Sequence, residues 1–151
     1  MSKERPRITV AAVIERDGRY LLVEERSGER TVYNQPAGHL EPGESLLQAA
    51  ARETWEETAW RFNPTALLGI YQWTGHDNRV TYLRFCFSGE CGGHDPRQSL
   101  DDGIIRACWL THDEVLACRD RHRSPLVLRC IDDYRAGRRF PLSLYTDLTA
   151  A

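Results

Sequence analysis

The chain has 151 residues, with a hydrophobic content of 41%, a charged content of 28% and a formal net charge of −2. This size and composition are typical of one globular domain, which we predict over residues 1–151. The net charge argues against a protein that coats nucleic acid, and no apolar run approaches the roughly 18 residues of a membrane span. The charged start MSKERPR and five cysteines, an odd number, predict a cytoplasmic protein with reduced thiols.

The first part of the chain is predicted to form strands. Arg7–Glu15 is rich in β-branched residues, and Asp17-Gly18 is a hairpin turn signal before a return strand over Arg19–Glu25. A short strand over Thr31–Gln35 then enters a Pro-Ala-Gly loop. These segments predict a sheet that delivers the chain to the helix that follows.

A helix is predicted between Glu44 and Trp60, where Ser45 and Gln48 form an S-x-x-Q capping box. Its second half carries three glutamates that share one face at about 100° per residue. These are Glu53, Glu56 and Glu57. Like charges on one stripe repel each other, so the stripe needs cations.

Two kinds of cation can stabilise the glutamate stripe. Arg52 can offset one charge, and oxygen-preferring divalent ions such as Mg²⁺ can take the rest. An isolated E-x-x-E-E pattern is more often a solvated acidic face. The wider spacing of the stretch decides between these interpretations.

The second half alternates between strands, one long loop and two helices. The order of elements along the whole chain, strands, then a helix, then strands, then helices, predicts a mixed α/β sandwich rather than a regularly alternating fold. The predicted segments are paired strands over Ala66–Thr74 and Val80–Glu90, a loop over Cys91–Asp102, a strand over Ile104–Leu110, a helix over Asp113–Cys118 and a helix from Ser124-Pro125 to Gly137.

The stretch from Gly38 to Glu57 has the spacing G-x5-E-x7-R-E-x2-E-E, which resembles the signature of the Nudix hydrolases. Two positions depart from the family pattern. Thr54 stands where a bulky aliphatic residue is usual. Ala59 replaces a glycine, so either its backbone is left-handed at a cost of about 1 kcal/mol or the helix continues through it. The resemblance implies the Nudix fold, an α/β/α sandwich with a mixed sheet between helices.

The resemblance also implies a metal-dependent hydrolysis of phosphoanhydrides. Carboxylates repel polyphosphate, so Mg²⁺, or Mn²⁺ in its place, must lie between them. The expected ligands are Glu53, Glu56, Glu57 and the backbone carbonyl of Gly38. Arg52 joins the three glutamates in the expected catalytic group, where it and Glu44 form an orienting pair.

The general base is left open by the sequence. Family members use a carboxylate inside the signature or one from a later loop. Asp101 and Asp102 are the later-loop candidates, although forming a turn around Gly103 is the more usual role of such residues. Glu53 and Glu56 are the candidates within the signature.

Four residues outside the signature are candidates for substrate binding: Gln35, Gln72, Trp73 and Arg84. Trp73 could stack a heterocycle, although core packing is its usual role, and strand alternation sends Gln72 to the other face. Arg84 needs a partner if it is buried, either a phosphate or an acidic neighbour. Gln35 could instead end a strand by hydrogen bonding, and Arg119–Arg123 is interpreted as a solvated turn.

The segments NQPAGHLE, YQW and LRFCF resemble one small bacterial group within the family. These are Nudix phosphatases that act on thiamine pyrophosphate, hydroxymethylpyrimidine pyrophosphate and nucleoside di- and triphosphates. The resemblance implies a small-molecule substrate, release of orthophosphate, no nucleic-acid or membrane partner, and a monomer or small homo-oligomer. The alternatives are a housecleaning pyrophosphohydrolase that releases pyrophosphate and a Nudix-fold module that binds nucleotides without cleaving them.

Overall fold

The computed structural model describes residues 4–149. Within this range the chain forms eight strands and three α-helices, with short 3₁₀ turns near its end. In chain order they are β1 (Arg7–Val13), β2 (Glu15–Arg16), β3 (Arg19–Ser27), β4 (Arg30–Asn34), β5 (Ala37–His39), α1 (Leu46–Thr58), β6 (Arg61–Thr74), β7 (Thr81–Gly92), β8 (Ile104–Thr111), α2 (His112–Ala117) and α3 (Leu126–Arg135).

The strands form two sheets. The first has the order β5-β1-β7-β6 and is mixed, because β1 and β7 are parallel and the other pairs are antiparallel. The second is built around β3, which pairs with β2, β4 and β8. The mixed sheet contains β5, which leads into the loop before the signature helix.

Alternation along β1 shows how the mixed sheet is buried on both faces. Val10 and Ala12 pack in the cluster that contains the buried side of α1. Ala11 and Val13 pack in the cluster that contains α3. The mixed sheet therefore lies between helices, which confirms the predicted α/β/α sandwich.

The signature helix begins as predicted and ends two residues early. Ser45 accepts from the Gln48 N–H and the Gln48 side chain accepts from the Ser45 N–H, so the capping box is present. The helix stops because Ala59 is left-handed, with φ 59°. This conformation costs a residue with a Cβ about 1–2 kcal/mol and explains why a glycine is the usual family residue.

Strand β6 begins at Arg61, not at the predicted Ala66. Pro64 lies inside it, which is tolerated because β6 is an edge strand and its pairing with β7 is irregular between Pro64 and Ala66. The predicted turn at Asp17-Gly18 is confirmed, and both residues have positive φ.

The long loop predicted over Cys91–Asp102 is shorter, since β7 continues to Gly92. It is tied to the end of α1 by two backbone hydrogen bonds. The Asp95 N–H donates to the Ala59 carbonyl at 3.0 Å, and the Asp101 N–H donates to the Glu56 carbonyl at 2.9 Å. These bonds satisfy carbonyls that the last helical turn leaves free.

None of the helices in the described part of the chain combines the length and apolar character needed to cross a membrane. The five cysteines are all free thiols.

Candidate active site

The glutamate helix packs against β5 through a glycine. Gly38 pairs with Val10 of β1, and a side chain at position 38 would collide with the carboxylate of Glu53. Glycine is therefore required so that this carboxylate can lie against the strand backbone. The contact places the Glu53 carboxylate directly against the backbone of Gly38.

Arg52 holds the acidic groups in place. Its Nε and Nη2 donate to the two oxygens of Glu44 at 3.0 and 2.7 Å, a bidentate pair. Its Nη1 donates to Glu53 at 2.8 Å and to Glu56 at 3.2 Å. The hydrogen bond from Arg52 keeps the pKa of Glu44 below its usual value. The structure thus places Glu44 and Arg52 together, as an orienting pair requires.

Glu57 faces the cleft from the same helix but is held differently. Its side chain is buried, and its Oε1 accepts the backbone N–H of Ala37 at 2.9 Å. Burial raises the pKa of Glu57 to about 9, so the carboxyl binds a proton unless a cation replaces it.

A carboxylate from the β7–β8 loop joins the helix. Oxygen atoms of Glu53, Glu56 and Asp101 all lie within 4.8 Å of one another. Burial raises the pKa of Glu53, and the neighbouring Glu56 and Asp101 charges raise it further, against the effect of Arg52. Three carboxylates this close are unfavourable without a cation.

The donor set fits a divalent cation of the Mg²⁺ type. All candidate ligand atoms are oxygens, which Mg²⁺ and Mn²⁺ prefer, and the group lies at a backbone that a Cβ would obstruct. The residues that would hold such ions are Glu53, Glu56, Glu57 and the Gly38 carbonyl, with the Asp101 carboxylate beside them.

Glu53, Glu57 and Gly38 form part of one wall of an open cleft of about 1270 Å³. The wall contains Ala37, Gly38, Glu53 and Glu57. Other parts of the lining are basic. They contribute Arg7, Arg84, Arg119, Arg123 and Arg129. A cleft with a carboxylate wall and basic surroundings suits a ligand with several phosphates, bound partly through metal and partly through arginine.

The four predicted substrate residues are not all in the cleft. Arg84 and Trp73 line it, and Trp73 stacks on Tyr82 with ring centroids 5.9 Å apart. Gln35 is buried behind the cleft and accepts from Arg84 Nη1 at 2.7 Å, so it can act only through that arginine. Gln72 is exposed and lies outside the lining, because the alternation of β6 turns it away from Trp73.

Other residues of the cleft were not predicted from the sequence. Glu25 is buried in the cleft wall and pairs with Arg123 at 2.9 Å, so this arginine is not merely a solvated turn residue. Thr9 lies on the floor beside Arg84. Both positions depend on strand pairing, which local patterns do not reveal.

The fold and the acidic helix define the class of protein. The NUDIX domain profile matches residues 4–130, and the chain belongs to the Nudix family. It is a Nudix phosphohydrolase that acts on small-molecule phosphate substrates.

Individual Nudix proteins can be aligned with most of this chain. The chain is 40% identical over 143 residues to "Phosphatase NudJ" of Escherichia coli K12, covering 95% of this chain and 92% of the relative. A NUDIX hydrolase structure from Nitrosomonas europaea is 53% identical, with a TM-score of 0.95, and the match covers 97% of this chain and 100% of that one. A MutT NUDIX hydrolase from Burkholderia pseudomallei shares the fold, with 23% identity, a TM-score of 0.72 and coverage of 86% and 98%.

Proposed function

We propose that the protein hydrolyses the terminal phosphoanhydride bond of organic diphosphates and triphosphates and releases orthophosphate. The proposed substrates are thiamine pyrophosphate, hydroxymethylpyrimidine pyrophosphate and nucleoside di- and triphosphates. The observation that carries the proposal is the cluster of Glu53, Glu56 and Asp101, with Arg52 bonded to the two glutamates, beside a cleft with basic surroundings. The name of the NudJ relative, a phosphatase, supports orthophosphate as the product.

Mg²⁺, or Mn²⁺ in its place, is the proposed cofactor, with Glu53, Glu56, Glu57 and the Gly38 carbonyl as its ligands. When bound, such ions neutralise the phosphates and make bound water more acidic. Arg52 sets the orientation of two of these carboxylates from one guanidinium group. Glu44 in turn fixes Arg52, which is the usual function of residues behind metal ligands.

Asp101 is the proposed general base. Glu53 and Glu56 both accept hydrogen bonds from Arg52, whereas the Asp101 carboxylate accepts none from residues 4–149. Its backbone bond to Glu56 holds it next to the metal ligands. Asp101 is therefore positioned to take the proton of the attacking water. Asp102 is not part of the group.

The organic group and the phosphates are assigned to different residues. Trp73, stacked on Tyr82, offers an aromatic surface for a flat heterocycle. Arg84 is the proposed phosphate ligand, and Gln35 supports it from behind. Gln72 lies outside the cleft, and we assign it no contact there.

A substrate panel tests the proposal. The purified protein is assayed with Mg²⁺ on thiamine pyrophosphate, its pyrimidine precursor, nucleotides, oxidised nucleotides, dinucleotide polyphosphates and sugar nucleotides, with orthophosphate and pyrophosphate measured separately. We expect orthophosphate from the diphosphates and triphosphates, with wide tolerance of the organic group. Pyrophosphate as the main product from triphosphates, or cleavage of bridged substrates alone, would refute the phosphatase assignment and leave the hydrolase class intact.

A further inference from the structure

Three buried side-chain polar atoms lack a hydrogen-bond partner among residues 4–149: Thr9 Oγ1, Arg84 Nε and Ser88 Oγ. An unpaired buried polar group costs about 1–3 kcal/mol, so each needs an explanation. Thr9 and Arg84 line the cleft, whereas Ser88 does not. Two of the three atoms therefore belong to side chains on the surface that a substrate would contact.

Thr9 and Arg84 are neighbours across the mixed sheet. Thr9 pairs with His39 of β5 on one side and with Arg84 of β7 on the other. His39 directly follows Gly38, whose backbone belongs to the carboxylate wall. The Thr9 and Arg84 side chains share the sheet face of Ala11 and Cys86, which is the face of α3. Glu53 contacts the other face at Gly38, and one cleft is lined by all three residues. A group bound by both would lie beside the glutamates rather than among them.

Arg84 is a buried cation without an anion. It is 7% exposed, and its one hydrogen bond to an oxygen within residues 4–149 is to the neutral amide of Gln35. It takes part in none of the ion pairs of the described chain. The nearby thiols of Cys86 and Cys130 are weak acceptors. Burying an uncompensated charge is unfavourable, and an anionic ligand would remove that penalty.

We propose that Thr9 and Arg84 together bind the phosphate next to the organic group, which in a diphosphate substrate is the phosphate that is not attacked. This assignment rests on the proposed function and deepens it. The Nε–H of Arg84 and the hydroxyl of Thr9 donate to the oxygens of that phosphate, while the attacked phosphate lies at the glutamates. Gln35 is a positioning residue, since its amide nitrogen donates to the Ala12 carbonyl at 3.2 Å and its oxygen fixes the guanidinium.

The test measures binding without turnover. Metal-free protein is titrated with AMP, and with adenosine as the probe that lacks a phosphate, by calorimetry and by thermal unfolding. Thr9→Val keeps the shape of the side chain and removes a hydroxyl that has no partner, so the unfolding midpoint should stay the same or rise. Its affinity for AMP should fall about tenfold, and its response to adenosine should not change.

Two further variants complete the set. Ser88→Ala removes another unpaired buried hydroxyl, outside the cleft, and should bind AMP like the wild type. Arg84→Met removes the cation and should weaken AMP binding by at least about a hundredfold. Because Thr9→Val leaves every protein hydrogen bond in place, it remains informative if Arg84→Met folds poorly.

Three results would overturn the assignment. The first is wild-type protein that binds AMP no better than adenosine. The second is unchanged AMP affinity in Thr9→Val. The third is an equal loss of AMP and adenosine binding in Thr9→Val, which would mean that the pair contacts the heterocycle. Since the titration needs neither metal nor turnover, release of pyrophosphate in the substrate panel would refute the phosphatase proposal and leave this binding test valid.

Discussion

Arg52 and Arg84 serve the same site and are held in opposite ways. Arg52 lies within 2.7–3.6 Å of the carboxylates of four glutamates. Arg84 is more deeply buried, yet it meets one neutral amide, that of Gln35. The four partners of Arg52 are Glu41, Glu44, Glu53 and Glu56.

The difference shows how one residue type is used for two tasks. A guanidinium surrounded by carboxylates has no donor free for a phosphate, and it fixes the geometry of its partners instead. A guanidinium without an anion remains available, and the neutral amide orients it without neutralising it. The surroundings of each arginine, rather than its identity, indicate whether it positions ligands or binds substrate.

The largest effect is expected from replacing one of the proposed metal-binding glutamates. Glu57→Gln keeps the shape of the side chain but removes a charged ligand, so Mg²⁺-dependent kcat should fall by more than about a hundredfold while the fold persists. Turnover is measured on the best substrate of the panel, with the exposed Glu90→Gln as the matched control. Near-normal turnover in Glu57→Gln would remove this glutamate from the metal site.

The pH dependence of stability tests whether the Glu57 carboxyl is protonated in the metal-free protein. The folded pKa of Glu57, about 9, exceeds its ordinary value of 4.5, so at intermediate pH the folded protein keeps a proton that the unfolded chain loses. Glu57 therefore stabilises the metal-free protein less as the pH rises between these values. Relative to Glu57→Gln, which does not titrate, the wild-type free energy of unfolding should fall by up to about 1.4 kcal/mol per pH unit.

Urea unfolding in EDTA at about pH 6 and about pH 8 measures this slope. Saturating Mg²⁺ should abolish it, because the ion replaces the proton. A difference between the two proteins that is independent of pH would show that the carboxyl is already ionised without metal.

The difference between the two arginines can be tested directly by replacing each with methionine and comparing the free energies of unfolding. Arg52→Met leaves carboxylates facing one another, so the free energy of unfolding should fall by about 1–2 kcal/mol, a value discounted because the side chain is 22% exposed. Arg84→Met removes a cation that has no anion, and the gain offsets the lost bond to Gln35. We expect a change below about 1 kcal/mol. Equal losses, measured by urea unfolding in EDTA, would contradict the distinction.

The smallest effect concerns the end of the helix that carries Arg52. Ala59→Gly relieves a left-handed strain of about 1–2 kcal/mol but loses a buried methyl group worth about 0.8 kcal/mol, so a net gain of about 0.5 kcal/mol is expected. Arg79→Gly is the control, since Arg79 is also left-handed (φ 54°) but exposed. Thermal unfolding reports both, and a lower midpoint for Ala59→Gly would mean that the methyl contact outweighs the strain.

What the sequence revealed was local. The glutamate stripe, Arg52 and the cap at Ser45 follow from helical periodicity within one short stretch, and the structure places them as that periodicity requires. The end of the helix was ambiguous, because alanine can either continue a helix or, at some cost, end it at Ala59.

The rest of the site depends on long-range pairing. Asp101 reaches the metal ligands because its backbone bonds to the last turn of α1, and nothing in the loop composition signals that contact. Thr9 and Arg84 meet through the parallel register of β1 and β7. A single sequence carries no information on that register. Alternation could assign the Arg84 side chain to one face of its strand, but it could not identify the residues beside it on the neighbouring strands.

Gly38 is also a position at which one mutation could separate ligand binding from hydrolysis during evolution. A single nucleotide change converts a glycine codon to an alanine codon, and the added methyl group would displace the Glu53 carboxylate. The cleft, its aromatic surface and Arg84 would remain as they are. We expect the resulting protein to keep its affinity for the organic monophosphate and to lose its hydrolytic activity. The single substitution Gly38→Ala would therefore convert the enzyme into a protein that binds a nucleotide without cleaving it.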